Sequence, residues 1–432
     1  MKLLIYTHKI TPRLTYVFKH ICTRILGVDV IFTTVVETFI AHQGLKMSYT
    51  KQPLGKELFV QSHYLLFEEG LSDVSLKIER WENTKCFFKV GKKSALPFDV
   101  FAASFYLLSR YEEYMPYVAD DYGRFPPENS IAYQYHFLKQ PVVDIWAYEF
   151  KKVLQEKFEA FQFIKKQFQI QPIVDVPVAY QYAQKGLVRT LGGVFRDLFS
   201  FKFKEIYQRF MVIFGFRRDA YDTFKWLINI HRKRKLHPVF FFLLGDYTVH
   251  DTSTDFRNKN FVSLIKSVSD YFSVGLKGSY QALENVKMLK EEKQRFENIF
   301  NIPLKRNRNS FSKLKLPIAY RNLINLEIQE DYTMGYVSES GFRAGTCTPF
   351  QFYDLDFEMQ TPLRIHPFCM LDFVYKYNNK QRAFTEIKNM MQAVKKVNGT
   401  FSLVVHNYTF SKNEEWKGWR KFYTQILDEA IL

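Results

Sequence analysis

Apolar residues recur along the chain in two rhythms. Over residues 1–165 the rhythm is mixed. LLIYTH (3–8) and VDVIFTT (28–34) are short apolar runs that predict strands. Between them, Arg13 to Leu26 shows the three-to-four-residue spacing of an amphipathic helix. ELFVQSHYLLFEEG (57–70) and VSLKIERW (74–81) continue the strand-like pattern. Helical spacing returns over 99–115 and 142–158, with a Gly/Pro/Asp loop at 120–130 between them. A basic stretch, FIKKQFQIQP, then predicts a domain boundary after residue 165.

Beyond that boundary, strand and helix alternate. Strands are predicted over 170–176, 238–247, 272–278, 308–314, 330–336, 361–372 and 400–407. Helices are predicted over 219–235, 259–271, 283–300, 317–328, 381–397 and 414–430. Seven strands, each followed by a helix or a long connection, imply parallel pairing with right-handed crossovers, hence an α/β sheet or barrel. Chemistry in such folds sits just past the carboxyl ends of the strands. Here those ends offer Asp175, Lys277 to Gln281, Arg308 to Ser310, Asp331 to Tyr336, His366, and His406 with Asn407.

Composition narrows the class without naming a function. With 47% hydrophobic and 24% charged residues, the chain is neither disordered nor collagen-like. Its four cysteines (Cys22, Cys86, Cys347, Cys369) lie far apart, which fits reduced thiols better than a disulfide framework or a zinc knuckle. A net charge of +17 bears on partners more than on fold. No nucleic-acid motif accompanies that charge, so nucleic acid is not expected as a partner. The opening MKLLIYTHKI is broken by Thr7, His8 and Lys9, too early for a signal peptide, and no apolar run reaches 18 residues. The expectation is a soluble cytoplasmic protein. GxxxxGK[ST], GxGxxG and GxSxG are all absent.

One stretch has its own pattern. In Phe195–Arg218, apolar Phe199, Phe203, Ile206, Phe210 and Ile213 recur at helical spacing, interleaved with cationic Arg196, Lys202, Lys204 and Arg209. Two readings are open. The apolar face packs onto the rest of the chain, or it makes peripheral contact with an anionic inner membrane surface.

Residues 170–432 resemble the polysaccharide deacetylases of carbohydrate esterase family 4, in the divergent branch common in Bacteroidetes. Members of that branch carry an extra N-terminal domain of unknown function, which residues 1–165 resemble. The match rests on IVDVPVAYQYAQKG (173–186), FFFLLGDY (240–247), VGLKGSY (274–280), DYTMGYVSESGFRAGTCTPFQFYDL (331–355) and SLVVHN (402–407). The resemblance implies a distorted (β/α) barrel of about seven strands at 166–432, preceded by a mixed α+β domain at 1–165. It implies action on, or binding of, an acetylated glycan or glycan precursor. Active relatives use a divalent metal such as zinc, held by an Asp after the first strand and a His-x-x-x-His pair after the third.

The metal motif is broken here. Asp175 is kept, but Pro177 stands where Asp-x-Asp relatives have a second acid, and Lys277 and Gln281 fall at the histidine positions. Ser310 replaces a further expected histidine. A lysine ammonium does not ligate and repels a cation. No metal or other cofactor is therefore expected. The retained candidates are Asp175, Arg343 and His406 as catalytic residues, with Lys277, Asp331, Tyr336 and Asn407 for substrate. Asp175 has a plainer reading too, as the partner of Lys277 across adjacent strand ends, a salt bridge in place of the metal. Arg343 has the alternative of an ordinary buried ion pair. The alternative to an enzyme is a non-catalytic glycan-binding or membrane-surface scaffold protein of cell-envelope polysaccharide metabolism.

Overall fold

The computed structural model describes residues 2–158, 163 and 166–432, so the boundary expected after residue 165 lies outside the described residues. The N-terminal strands β1 (Lys2–Tyr6), β2 (Asp29–Thr33), β3 (Lys46–Thr50) and β4 (Leu58–Gln61) form a parallel sheet in the order β2-β1-β3-β4. The helix expected at 13–26 begins at Pro12. Thr11 accepts a hydrogen bond from the Leu14 amide, and proline at the first helical position costs no backbone bond. The reading of 74–81 as a strand holds only in part. Glu79–Trp81 (β5) pairs in a hairpin with Thr84–Cys86 (β6). Helix Val100–Leu108 is buried along its whole length and is capped by Asp99, which accepts from the Phe101 and Ala102 amides.

The second half builds a mixed α/β unit around one large sheet. Its strands are β7 (Gln169–Val176), β8 (Val239–Leu243), β9 (Ser273–Gly278), β10 (Arg306–Asn309), β11 (Glu330–Asp331), β12 (Phe350–Asp354), β13 (Met359–Ile365), β14 (Met370–Leu371) and β15 (Thr400–His406). They run in the order β12-β13-β11-β10-β9-β8-β7-β15-β14, all parallel except β12. The first strand, β7, lies beside the last, β15, as a barrel requires. Yet β13 and β14 do not pair among the described residues, so the sheet is open and has nine strands rather than seven. The segment expected as one strand over 361–372 explains the seam. It breaks between Ile365 and Met370, where Pro367 fixes φ and has no amide to give the ladder. The antiparallel turn-back β12–β13 was not expected.

The two faces of this sheet pack differently. Helices cover the outer face and join the main core. The inner face holds a separate cluster that includes Ile173, Phe241, Tyr332, Phe368, Leu371 and Val404. Gly275 makes room for it. A Cβ at that position would meet the Phe241 ring at 2.6 Å and the Arg306 carbonyl at 2.8 Å.

GFRAGTCTPF, the most specific stretch of the resemblance, turns out to be a joint between the two halves. The Val143 amide donates to the Gly345 carbonyl and the Phe342 amide to the Leu138 carbonyl. Asp144 accepts from Thr346 Oγ1, the Cys347 amide and Thr348 Oγ1 at 2.6–2.9 Å. Gly341 (φ +148°) and Gly345 (φ +65°) are needed there, because a side chain would strike Leu138 or Leu107.

Gly275→Ala should cost about 2 kcal/mol of stability, since the backbone oxygen on one side cannot yield as a side chain would. Urea unfolding of the purified variant checks this, and an unchanged midpoint would show that the Arg306 backbone and the Phe241 ring both give way.

Candidate functional site

Alternation along the strands points a row of polar side chains to the inner face at the carboxyl ends: Asp175 on β7, Lys277 on β9, Arg308 on β10 and His406 on β15. Asp175 is the centre and is buried. Lys277 Nζ donates to its Oδ2 at 2.7 Å, and Arg308 Nε lies 3.0 Å from each carboxylate oxygen. Burial would raise the carboxyl's pKa. The adjacent Arg308 and Lys277 charges overcome that and hold it well below the usual carboxylate range. Lys277 is itself held below the ordinary lysine value, by burial first, with Asp175 pulling it up and Arg308 pushing it down.

The expected Asp175–Lys277 bridge is therefore formed, although not across adjacent strands. Strand β8 lies between, and Asp175 sits in register with Phe241, Lys277 with Leu243. Arg308 was missed as a partner. Its guanidinium is committed on every side: Nη1 donates to the Tyr332 carbonyl at 2.6 Å, Nη2 to Ser312 Oγ at 3.0 Å, and the Phe368 ring lies under it at 4.6 Å. Two consecutive left-handed residues, Phe311 (φ +57°) and Ser312 (φ +48°), turn the chain so that the serine hydroxyl reaches the arginine.

His406 is oriented from behind. Its Nδ1 lies 2.9 Å from Asp372 Oδ1, and because a carboxylate only accepts, Nδ1 carries the proton. Asp372 also takes the His406 amide at 2.7 Å and the Thr409 hydroxyl. The other nitrogen, Nε2, stands 3.8 Å from Asp175 Oδ2, beyond a hydrogen bond. The Tyr408 ring stacks on the imidazole at 5.0 Å.

The other candidates sit apart from Asp175. Arg343 holds Glu113 with two bonds of 2.8 and 2.7 Å, and Glu113 comes from the N-terminal half. Arg110 binds the same carboxylate and the Arg343 carbonyl, and Tyr336 lies against both arginines. Arg343 thus forms a buried ion pair, its alternative reading, within the joint between halves. Asp331 accepts from the Thr333 amide and hydroxyl, and Asn407 Nδ2 donates to the Val178 and Tyr221 carbonyls. Both are fully buried. Gln281 is exposed, and the Ser310 hydroxyl is buried with no hydrogen-bond partner among the described residues.

These residues do not fit a divalent metal. The one carboxylate at the expected position is filled by an ammonium and a guanidinium. Among the described residues no three His, Cys, Asp or Glu side chains converge as a ligand set.

Beside Tyr408 lies a cleft of about 1160 Å³. One wall is the helical pair Gly186–Phe199 and Phe203–Ile213, and Tyr182, Tyr221, Tyr247 and Tyr408 also line it. Its cations include Lys185, Arg189, Arg196, Arg209 and Lys412. Lys185 is partly buried and held below the ordinary lysine value by burial and then by Arg209, with Asp219 opposing and Arg196 and Arg189 adding to the depression. A crowd of cations that lowers a lysine's proton affinity is relieved by an anion.

A second buried acid lies near the strand ends. Burial pushes Glu292 up to about 7, aided by Asp251 and opposed by the hydrogen bond from the Ser279 amide and by Arg295. An acid raised in the folded state keeps its proton while the unfolded chain has lost it. Stability should therefore fall as pH rises from about 4.5 to about 7 and be flat above, at no more than about 1.4 kcal/mol per pH unit. Glu292→Gln should remove that slope in thermal unfolding measured across this range. Asp175→Asn should cost about 3 kcal/mol or more, because two buried cations lose their counterion. Lys277→Met should cost less, because Arg308 still neutralises Asp175. Equal urea midpoints for the two variants would refute that ordering.

Residues 3–159 match the family described as a family of unknown function, DUF7033. No curated protein matches the chain in sequence. Among solved structures, a protein described as a polysaccharide deacetylase from Mycobacterium smegmatis is similar with a TM-score of 0.37 and 13% identity, over 62% of this chain and 84% of that one. The Bacillus cereus polysaccharide deacetylase Bc1974 gives 0.30 and 12%, over 61% and 88%. BA3943 from Bacillus anthracis, described as a CE4 family pseudoenzyme, gives 0.28 and 9%, over 61% and 62%.

Proposed function

We propose that this protein binds an acetylated glycan or glycan precursor carrying a negative charge, and does so without metal-dependent hydrolysis. The observation that carries the reading is the Asp175 carboxylate, whose two oxygens are taken by Lys277 and Arg308. A carboxylate so held neither ligates a cation nor takes a proton from water. Glycan as the ligand class rests on the sequence resemblance. The cleft beside the polar row supports it chemically. Of the tyrosines that line it, Tyr247 is exposed and can meet a sugar ring, and Lys185 and Arg189 stand beside it for a phosphate or carboxylate. His406, oriented by Asp372, is joined to that cleft only through the Tyr408 ring, which stacks on it and lines the cleft.

Calorimetry with N-acetylglucosamine and N-acetylglucosamine 1-phosphate tests the binding. The phosphorylated sugar should bind about tenfold tighter or better, and Lys185→Gln should erase the preference. Acetate release from either sugar, with zinc, cobalt or nickel added, should stay at the level of a protein-free control. Metal-dependent acetate release would overturn the non-hydrolytic reading, and an absence of saturable binding by both sugars would overturn the proposal.

A further inference from the structure

The helical pair over residues 186–213 is amphipathic in the wrong sense for a soluble protein. Its polar side faces the protein. Arg189, Gly193 and Asp197 on the first helix, and Gln208 and Arg209 on the second, line the cleft. The Arg209 guanidinium crosses to Asp197 and lies over the Tyr182 ring, and it packs so closely on Gly193 that a Cβ there would meet it at 2.6 Å. The apolar side faces outward. Leu187, Val188, Phe199 and Phe201 are 80–85% exposed, and Phe214 and Phe216 are 68% and 73% exposed. The docking of this face onto the rest of the chain, one of the two readings of the sequence, is not what forms. The single helix expected there is also divided, because the chain turns at Ser200–Lys202 with Phe201 in the left-handed region.

An apolar face of this extent is covered by something. We propose that it lies on an anionic lipid bilayer, with the arm seated in the interface plane and its phenylalanines among the acyl chains. Charge selects the bilayer over a second copy of the chain. Residues 186–218 hold seven cations and two acids. Both acids are turned inward, Asp197 held by Arg196 and Arg209, and Glu205 by the Tyr182 hydroxyl. Exposed Lys202, Lys204, Arg217 and Arg218 alternate in sequence with the phenylalanines of FSFKF and FGFRR, and they line the clefts that flank the pair, at the border of the apolar face. Two such arms laid together would bring two cationic borders close, with no exposed acid on the arm to meet them. Phosphate headgroups above an apolar interior match both features. The arm would lie on one surface, because no helix among the described residues is long and apolar enough to cross a membrane.

Sedimentation of the full-length protein with vesicles tests this. With equimolar phosphatidylglycerol and phosphatidylcholine, most of the protein should pellet. Pure phosphatidylcholine should retain much less, and raising the salt from about 0.1 M to about 0.5 M should release bound protein severalfold. The exposed triple variant Phe199→Ser, Phe201→Ser, Phe203→Ser should lose about tenfold or more in partitioning while its circular dichroism and its binding of N-acetylglucosamine 1-phosphate stay as in the unmodified protein. Protein that stays in the supernatant with anionic vesicles overturns the proposal. If light scattering then gives a dimer that the triple variant converts to monomer, a second copy is the occupant. If it gives a monomer in both, the face has no lipid or self partner. Pelleting that the triple variant leaves unchanged places any lipid contact elsewhere and also overturns it.

Discussion

A lysine and an arginine stand on the inner face of a sheet otherwise filled by Phe241, Tyr332 and Phe368, and they must be neutralised there or they cannot be buried. One carboxylate does it. Asp175 accepts from Lys277 and Arg308 together, and Arg308 in turn ties β10 to the Tyr332 carbonyl beyond β11 and to the turn at Ser312. The clamp thus spans β7 to β10 and the segment after β11, the stretch of sheet from which the loops of the site depart. A metal ion held by such a carboxylate would come from solution. Here the cations are covalently part of the chain, so the charge balance is permanent and the carboxylate is unavailable. Structure is gained where metal chemistry would need an open oxygen.

The second constraint is the joint between the halves. Glu113, from the N-terminal half, is held by two arginines, Arg110 and Arg343, and all three side chains are buried. Removing any one strands a charge in the interior, a larger loss than an exposed ion pair would bring. GFRAGTCTPF supplies one side of this joint. Its glycines allow close backbone approach, its arginine meets Glu113, and its threonines meet Asp144. Sequence specificity of that kind arises from an interface within the chain as readily as from a catalytic site.

What the sequence made legible follows from where the information lies. Strand and helix alternation is local, and most of the predicted elements are present with shifted ends. The Asp175–Lys277 bridge was legible because strand ends concentrate charge. Arg308 was available to the same reasoning. In RNRNS, alternation puts 306 and 308 on one face, but the predicted strand starts at 308, two residues after the observed one, and leaves Arg308 at its edge. Whether a ring of strands closes depends on one seam of a few backbone bonds near Pro367, which no periodicity encodes. The direction of the 186–213 face was ambiguous for a similar reason. Period alone says that a helix has an apolar side and says nothing of which way it looks.

The arm and the cleft are two faces of one pair of helices, and that links the two readings physically. The residues that make the arm polar toward the protein are the residues that make the cleft cationic, with Arg209 held by Asp197 and stacked on Tyr182 between them. A globular helix pair with its apolar face inward would have filled this space with side chains and left no cleft. Turning the pair inside out opens a polar chamber and exposes phenylalanines in one operation, so neither feature is an independent accident of the sequence. It also fixes their relative geometry. A surface that receives the phenylalanines lies across the helices from the cleft, separated from it by the thickness of a single helical layer, about 10 Å. If the arm lies on lipid as proposed, the cationic cleft opens on the far side of the helical pair from the acyl chains, so one pair of helices divides an apolar medium from an ionic one.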